Sequence, residues 1–274
     1  MRGGGEHLAA PFFIEPSQGV SILKFYGAVL GHEGDLIGDP SETQDRVTLS
    51  WFRRRWLDLV ASIYIYNEHR GYTALDRIIA ALRARFPGEH EFIAEIERHR
   101  ADEHKHYLMF KRWFEKRGTM PLLVDRTCGH IDRFIEIMFG SRINDIDELG
   151  LISDRRNLEK MCRVVALTER RGHRQVEVLL RHRFVLADHQ LTKIFQVIKV
   201  DEPSHWAPYE GWLRRNAARE PAWWERGIDA FIHSELLLLK LPVLFLNPFL
   251  RRRTRWPDEA DAAPRSRFDT RATA

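Results

Sequence analysis

With 274 residues, 44% of them hydrophobic, the chain is long enough for one large domain or two small ones and has the apolar content to bury a core. Its 43 basic and 39 acidic residues leave a net charge of +4 in a composition that is 30% charged, a mild bias that does not imply a nucleic-acid partner. Two cysteines, Cys128 and Cys162, exclude a disulfide framework, a four-thiolate zinc site and a rubredoxin-type iron centre. They read as buried thiols in a reducing cytosol.

Residues 1–40 hold glycines and prolines without sustained periodicity and are expected as an irregular arm; no apolar run of the kind a secretory signal needs follows the first residues. Ser41-Glu42-Thr43-Gln44 after Pro40 has the pattern of a capping box and predicts a helix that runs to about Phe86, where Pro87-Gly88 breaks it. A second helix is predicted from Glu89 to Lys116, ending before Gly118. Residues 119–152 carry one short apolar stretch, Ile131 to Phe139, within a connection long enough to cross from one end of a bundle to the other. Ser153-Asp154 caps a third helix expected to reach about Phe184, and a fourth runs from near Asp188 to about Arg215. Pro221 opens a fifth helical segment toward Leu239, and the stretch from Arg251 to the end reads as a flexible basic tail. Strand signals are nearly absent. The predicted fold is therefore all-α, with a helical domain over 41–250 built from two antiparallel hairpins, a long crossover and extra C-terminal elements.

The apolar run Leu236 to Leu250 is interrupted by Lys240, Pro242, Asn247 and Pro248 and is shorter than the roughly 18 to 20 residues needed to span a bilayer. The plainer reading makes it an element covering the bundle or a homodimer contact. The other, suggested by Arg251-Arg252-Arg253 beside it, is a peripheral contact of 236–250 with the inner face of a membrane. In either case the expected location is cytoplasmic.

The chemistry lies in acids at the centre of apolar stripes. In helix one, Ala61, Tyr64, Ile65, Glu68, Gly71, Tyr72, Leu75, Ile79 and Leu82 follow helical spacing and place Glu68 mid-stripe. Glu169 takes the same place among Leu158, Cys162, Val165, Gly172, Val176 and Leu180. Helices two and four each carry a Glu-x-x-His on one face, Glu103 with His106 and Glu202 with His205. One such motif means little in a chain with 13 histidines; the pairing is the evidence. Asp102-Glu103-x-x-His106-Tyr107-x-x-Phe110-x-x-Trp113 matches Asp201-Glu202-x-x-His205-Trp206-x-x-Tyr209-x-x-Trp212, and Glu68-x-x-Gly71 matches Glu169-x-x-Gly172, at offsets of 99 and 101. This reads as a duplicated helical hairpin.

Counting from the turns, Glu68 lies 18 residues before Phe86 and Glu103 15 after Gly88, while Glu169 lies 15 before Phe184 and Glu202 14 after Asp188. At 1.5 Å per residue, antiparallel packing brings all four acids and both histidines to one level. Such a cluster in an apolar interior costs several kcal/mol per unpaired charge unless cations neutralise it, and two metal ions would. The other histidines, among them His99, His104, His182 and His189, read as surface or interhelix residues, and the Arg70 and Arg171 pair as structural.

One Glu from each of two helices and a Glu-x-x-His from each of the other two is the ligand pattern of the ferritin-like di-iron carboxylate proteins, which this chain resembles over roughly 41–215. The resemblance implies a ferritin-like four-helix bundle, Glu68 and Glu169 as terminal carboxylate ligands, Glu103 and Glu202 as bridging ones, and His106 and His205 as one imidazole per metal. It further implies Asp102 and Asp201 as hydrogen-bond partners of the ligand histidines, paired crosswise, Asp102 with His205 and Asp201 with His106. Tyr72, Phe110 and Tyr209 are candidate pocket residues. Phe110 stands where the family's radical-forming tyrosine would be, which argues against a ribonucleotide reductase role. His173, one turn after Glu169, is a candidate extra ligand or a pocket histidine. Ile198 stands where arylamine N-oxygenases add a histidine, and Pro203 is expected to kink helix four or open a π-type bulge. The implied cofactor is a pair of iron ions, Fe/Fe or Mn/Fe, with dioxygen as co-substrate. The implied activity is that of a non-haem di-iron monooxygenase or oxidase acting on a small organic substrate by hydroxylation, desaturation or N-oxygenation. It needs an external reductase, since no flavin, nicotinamide or rubredoxin motif is visible. The alternatives are iron handling or peroxide scavenging in the manner of ferritin or rubrerythrin, and tRNA hydroxylation.

Overall fold

The structure is a computed structural model that describes residues 41–124, 126–143, 150, 152–216 and 218–262, with the side chains of 41–49, 127 and 260–262 outside that description. The expected arm over 1–40 and the side chains of the Ser41/Gln44 capping box thus lie outside the described residues. The chain is all-helical, 80% helix, with no strand among the described residues. It divides into one unit over Met1–Thr48 and another over Leu49–Ala274, so the division falls inside the first helix rather than ahead of it.

Four long helices dominate: α1 (Ser41–Arg85), α2 (His90–Lys116), α4 (Arg155–Leu179) and α6 (His189–Arg215). Between them stand α3 (His130–Phe139), which is the apolar stretch of the connection, and the short α5 (Arg183–Leu186). After them come α7 (Trp223–Ser234), a π-helical segment over Glu235–Lys240, α8 (Leu241–Leu246) and α9 (Pro257–Ala262). The ends obey local chemistry. Gly118 and Gly140, at φ 60° and 71°, supply the left-handed residue that follows α2 and α3. Asp154 accepts from the Asn157 amide at 2.8 Å to start α4, and Asp188 from the Leu191 amide at 2.9 Å to start α6.

Two expectations differ. α4 stops at Leu179 rather than near Phe184, because His182 turns its Nδ1 onto the Phe184 amide at 3.2 Å and caps α5 as a separate element. α6 continues as α-helix through Pro203 and Pro208, so of the kink or π-type bulge expected at Pro203 the bulge is not formed, even though neither proline offers an N–H to the carbonyl four residues before it. The π segment lies instead at Glu235–Lys240, within the region read as the fifth helix.

α6 packs against α2 and α4, and α3 and α7 lie against α4. Arg70 of α1 forks onto Asp132 of α3 at 2.6 and 3.0 Å, and Arg171 of α4 pairs with Asp229 of α7. The two matched arginines thus tie the connecting helices to the long ones. The segment from Arg251, expected as a flexible tail, is held over 251–259: Arg252 bridges to Leu122 and pairs with Asp58, and Asp258 accepts from the Tyr107 hydroxyl at 2.6 Å.

A small apolar cluster joins Leu59 and Ile63 of α1 to Leu122, Leu236 and Leu244, while two larger ones line the long helices. One contains Leu75, Ile96, Ala166 and Tyr209; the other contains Ile65, Tyr107, Val176 and Ile198. In each long helix the central glutamate falls between a residue of one cluster and a residue of the other: Glu68 between Ile65 and Leu75, Glu103 between Ile96 and Tyr107, Glu169 between Ala166 and Val176, Glu202 between Ile198 and Tyr209. A polar layer divides the interior at one level.

Candidate metal centre

Glu68, Glu103, Glu202, His106 and His205 are buried, and Glu169 keeps a side-chain exposure of 12%. Two groups of ligand atoms mutually within 4.8 Å emerge: Glu68, Glu103 and His106 in one, and Glu103, Glu169, His205 and His99 in the other. Glu103 belongs to both. Glu202 closes the layer, with Oε2 at 3.9 Å from His205 Nδ1.

His106 Nδ1 stands 3.3 Å from Glu68 Oε2, and His205 Nδ1 stands 3.4 Å from Glu103 Oε1. On the outer side, His106 Nε2 is 2.9 Å from Asp201 Oδ2 and His205 Nε2 is 3.7 Å from Asp102 Oδ2, a crosswise arrangement between α2 and α6. An ionised carboxylate only accepts, so Asp201 holds a proton on His106 Nε2, and it is Nδ1 that faces the glutamates. Both Nδ1 atoms are buried without a hydrogen-bond partner, as is Glu202 Oε2. Such orphans are costly unless something sits among them. Bonds of about 2.0–2.2 Å to one ion hold two donors about 3.0 Å apart at right angles and about 4.2 Å apart when opposite. The separations around His106 and His205 lie in that window, and several exceed hydrogen-bonding distance.

The glycines matched in the sequence make room for the shared acids. A methyl on Gly71 would meet the Glu103 carboxylate, with the carboxyl carbon at 3.0 Å and Oε2 closer still; a methyl on Gly172 would lie 3.3 Å from Glu202 Oε1. Each long-helix pair therefore brings a carboxylate against the bare backbone of its neighbour, one turn after the neighbour's own glutamate.

Electrostatics in the ion-free chain shows the strain of this layer. Burial, then the charges of the other three glutamates, pushes Glu103 well above the usual carboxylate range; Glu202 is raised by burial and by Glu169 and Glu68. Glu169 is pushed up to about 8, chiefly by burial and next by Glu68. Burial lowers His205 and His99 and so keeps both neutral. His106 rises to about 9, because Asp201 and Glu68 outweigh the burial that lowers it. Asp102 is held well below the usual range by His205 and then Lys105, and Asp201 is lowered by His106.

Three features were not read from the sequence. His99, taken as a surface or interhelix residue, is 2% exposed and reaches Glu103 and Glu169 at 3.6 and 3.8 Å. Lys105 Nζ lies between the two aspartates, 2.6 Å from Asp102 and 2.8 Å from Asp201. Tyr64, one turn before Glu68, has a buried hydroxyl without a hydrogen-bond partner, and its ring packs against Phe110 and Phe195. The available signal for His99 was its place one turn before Glu103.

Of the pocket candidates, Tyr209 contacts His99, Phe110 joins Tyr64 and Phe195, and Tyr72 packs with His69, His104 and Tyr107. His173 stacks edge-on to Trp206 and faces Glu177 at 3.9 Å; it belongs to neither ligand group. A surface depression of about 370 Å³ lined by Arg83, Pro87, His90, Ile93, Ala94 and Glu97 sits at the α1–α2 turn, and His90 is 13 residues from Glu103, about 20 Å along the helix. Comparison with protein-family models, curated proteins and solved structures gives no match.

Proposed function

We propose that the chain is a ferritin-like di-iron oxygenase or oxidase, a bundle of duplicated helical hairpins that oxidises a small organic substrate with dioxygen and electrons from an external reductase. The observation that carries the reading is the single buried layer in which Glu68, Glu103, Glu169, Glu202, His106 and His205 converge with bare imidazole nitrogens turned toward carboxylate oxygens. The matched pairs Glu68/Gly71 and Glu169/Gly172, and the matched Arg70–Asp132 and Arg171–Asp229 ties, support the duplication. Oxygen and nitrogen donors of this kind suit iron, which when bound would supply the activation of dioxygen.

The chain's own residues have separable tasks in this reading. Glu103 and Glu202 would be shared between the ions, Glu68 and Glu169 would each face one, and His106 and His205 would each donate Nδ1. Asp201 hydrogen-bonds the outer nitrogen of His106 at 2.9 Å, while Asp102 faces that of His205 at 3.7 Å, beyond hydrogen-bonding distance. Tyr64, Phe110, Phe195 and Ile198 form an apolar wall beside the layer, which favours an organic substrate over the passage of hydrated iron.

No helix among the described residues is long and apolar enough to cross a membrane. The test is metal content by plasma mass spectrometry after anaerobic loading with ferrous iron. About two irons per chain are expected in the wild type and loss of both in Glu103→Ala and Glu202→Ala, followed by dioxygen uptake on reduction. A wild type that binds no stoichiometric metal would sink the proposal.

A further inference from the structure

The two halves match at every proposed ligand, and two of the positions at which they differ lie one turn outside the Glu-x-x-His motifs. His99 precedes Glu103 by one turn; the matching residue before Glu202 is Ile198. Tyr209 follows His205 by one turn; the matching residue after His106 is Phe110. These departures meet in space. His99 Nδ1 lies 3.1 Å from the Tyr209 hydroxyl, while Ile198 and Phe110 share one apolar cluster. A polar pair has thus been built on one side of the layer and an apolar pair on the other.

We infer that His99 is a seventh metal ligand, joining Glu103, Glu169 and His205 on one ion, and that the two ions are inequivalent, with the second facing the apolar wall of Tyr64, Phe110, Phe195 and Ile198. The inference rests on the di-metal reading and adds to it a residue and an asymmetry. The geometry is that of a ligand rather than of a core histidine satisfied by hydrogen bonds. Nε2 has no hydrogen-bond partner, and its distances of 3.6 Å to Glu103 and 3.8 Å to Glu169 are too long for hydrogen bonds. The same distances fall inside the roughly 3.0–4.2 Å window of donors on a common ion. The ring stacks on that of His205 at 4.2 Å between centroids and 26° between planes, so both imidazoles approach from one side. Tyr209 acts as the positioning residue: a proton donated from Nδ1 to its oxygen leaves the Nε2 lone pair directed at Glu103 and Glu169.

The consequence is a division of labour. The ion held by His99 and His205 would have two nitrogen donors beside its carboxylates, whereas the ion near Glu68 and His106 would have an apolar neighbour in place of a second nitrogen. Open positions for a small ligand and an organic substrate belong on that second side.

The experiment is anaerobic titration of the full chain with ferrous iron, together with Mössbauer spectra of the 57Fe-loaded protein. Wild type is expected to bind two ions with two doublets of equal area. His99→Leu should retain one ion at wild-type affinity and hold the other at least about a hundredfold more weakly, and Tyr209→Phe should weaken that same ion about tenfold and shift only one doublet. Two ions bound by His99→Leu with unchanged affinity and spectrum would overturn the inference and leave the di-iron proposal standing. A wild type that fails to bind two ions would overturn both. If His99→Leu does not fold, wild type and Tyr209→Phe decide: a single wild-type doublet, or identical spectra for the two proteins, overturns the assignment.

Discussion

Replacing glycine by alanine inside a helix ordinarily stabilises it by about 1 kcal/mol, because glycine loses more backbone freedom on folding. Gly71 and Gly172 lie inside α1 and α4, and the structure separates them. At Gly172 the added methyl would sit 3.3 Å from Glu202 Oε1 and 3.9 Å from its carboxyl carbon, a tight contact that a carboxylate relieves by a few tenths of an ångström. At Gly71 the Glu103 carboxyl carbon is 3.0 Å from the new methyl, against ordinary carbon contacts of about 3.5–4.0 Å, so the carboxylate must retreat by about 0.5–1 Å. Overpacking of that order costs about 1–3 kcal/mol. For Gly172→Ala the expected change is a gain of up to about 1 kcal/mol with metal binding within a few fold of wild type. For Gly71→Ala the helix gain is offset by the clash, so the ion-free chain should lose about 0–2 kcal/mol. Its metal affinity should fall far more than that of Gly172→Ala, because Glu103 is the residue common to both ligand groups. Urea denaturation of the ion-free proteins and ferrous titration of both variants measure the two effects. Wild-type metal affinity in Gly71→Ala would refute the placement of the Glu103 carboxylate against the α1 backbone.

Two further outcomes follow from buried charge. In the ion-free chain, Glu169, raised to about 8, and His106, raised to about 9, hold protons that the unfolded chain has largely released by pH 7; the stability they confer is complete below their unfolded values near 4.3 and 6.5 and is lost as pH rises through 8 and 9. The unfolding free energy of the ion-free protein should therefore fall from pH 7 to 9, by up to about 1.4 kcal/mol per unit for each proton, while His99 and His205, kept neutral by burial, oppose this only below about pH 6.5; thermal midpoints that stay flat over that range would refute the coupling. Arg171→Ala leaves Asp229 buried without its partner and should cost about 3–5 kcal/mol, whereas Arg171→Leu with Asp229→Leu should restore most of it, since burial disfavours both charges; chemical denaturation distinguishes the two.

Much of the architecture was legible because it is written in local rules. Pro87-Gly88, Asp154 and Asp188 mark helix ends through missing donors and side-chain caps, and the structure starts or stops helices within a residue or two of them. What escaped depended on tertiary contact. The break after Leu179 needed the His182 ring, which also stacks on Trp56 at 4.0 Å, and no local pattern announces that a histidine will cap rather than continue a helix. The hold on 251–259 comes from Asp58 and Tyr107, residues about 150 to 190 positions away, while its own composition of arginine and proline reads as tail.

The site divides along a different line. Glu68, Glu103, Glu169, Glu202, His106 and His205 could be placed together because each has a counterpart in the other half and an apolar stripe around it, so two independent regularities agree. His99, Lys105 and Tyr64 have the counterparts Ile198, Ser204 and Val165, and a search by internal likeness discards whatever differs between halves. Yet a pair of ions held by identical halves would have no side on which to favour a substrate. If the halves are duplicates, as proposed, function has to enter through the positions that depart from the repeat: a histidine facing the carboxylates, a lysine joining two aspartates and a buried phenol packed on Phe110 and Phe195.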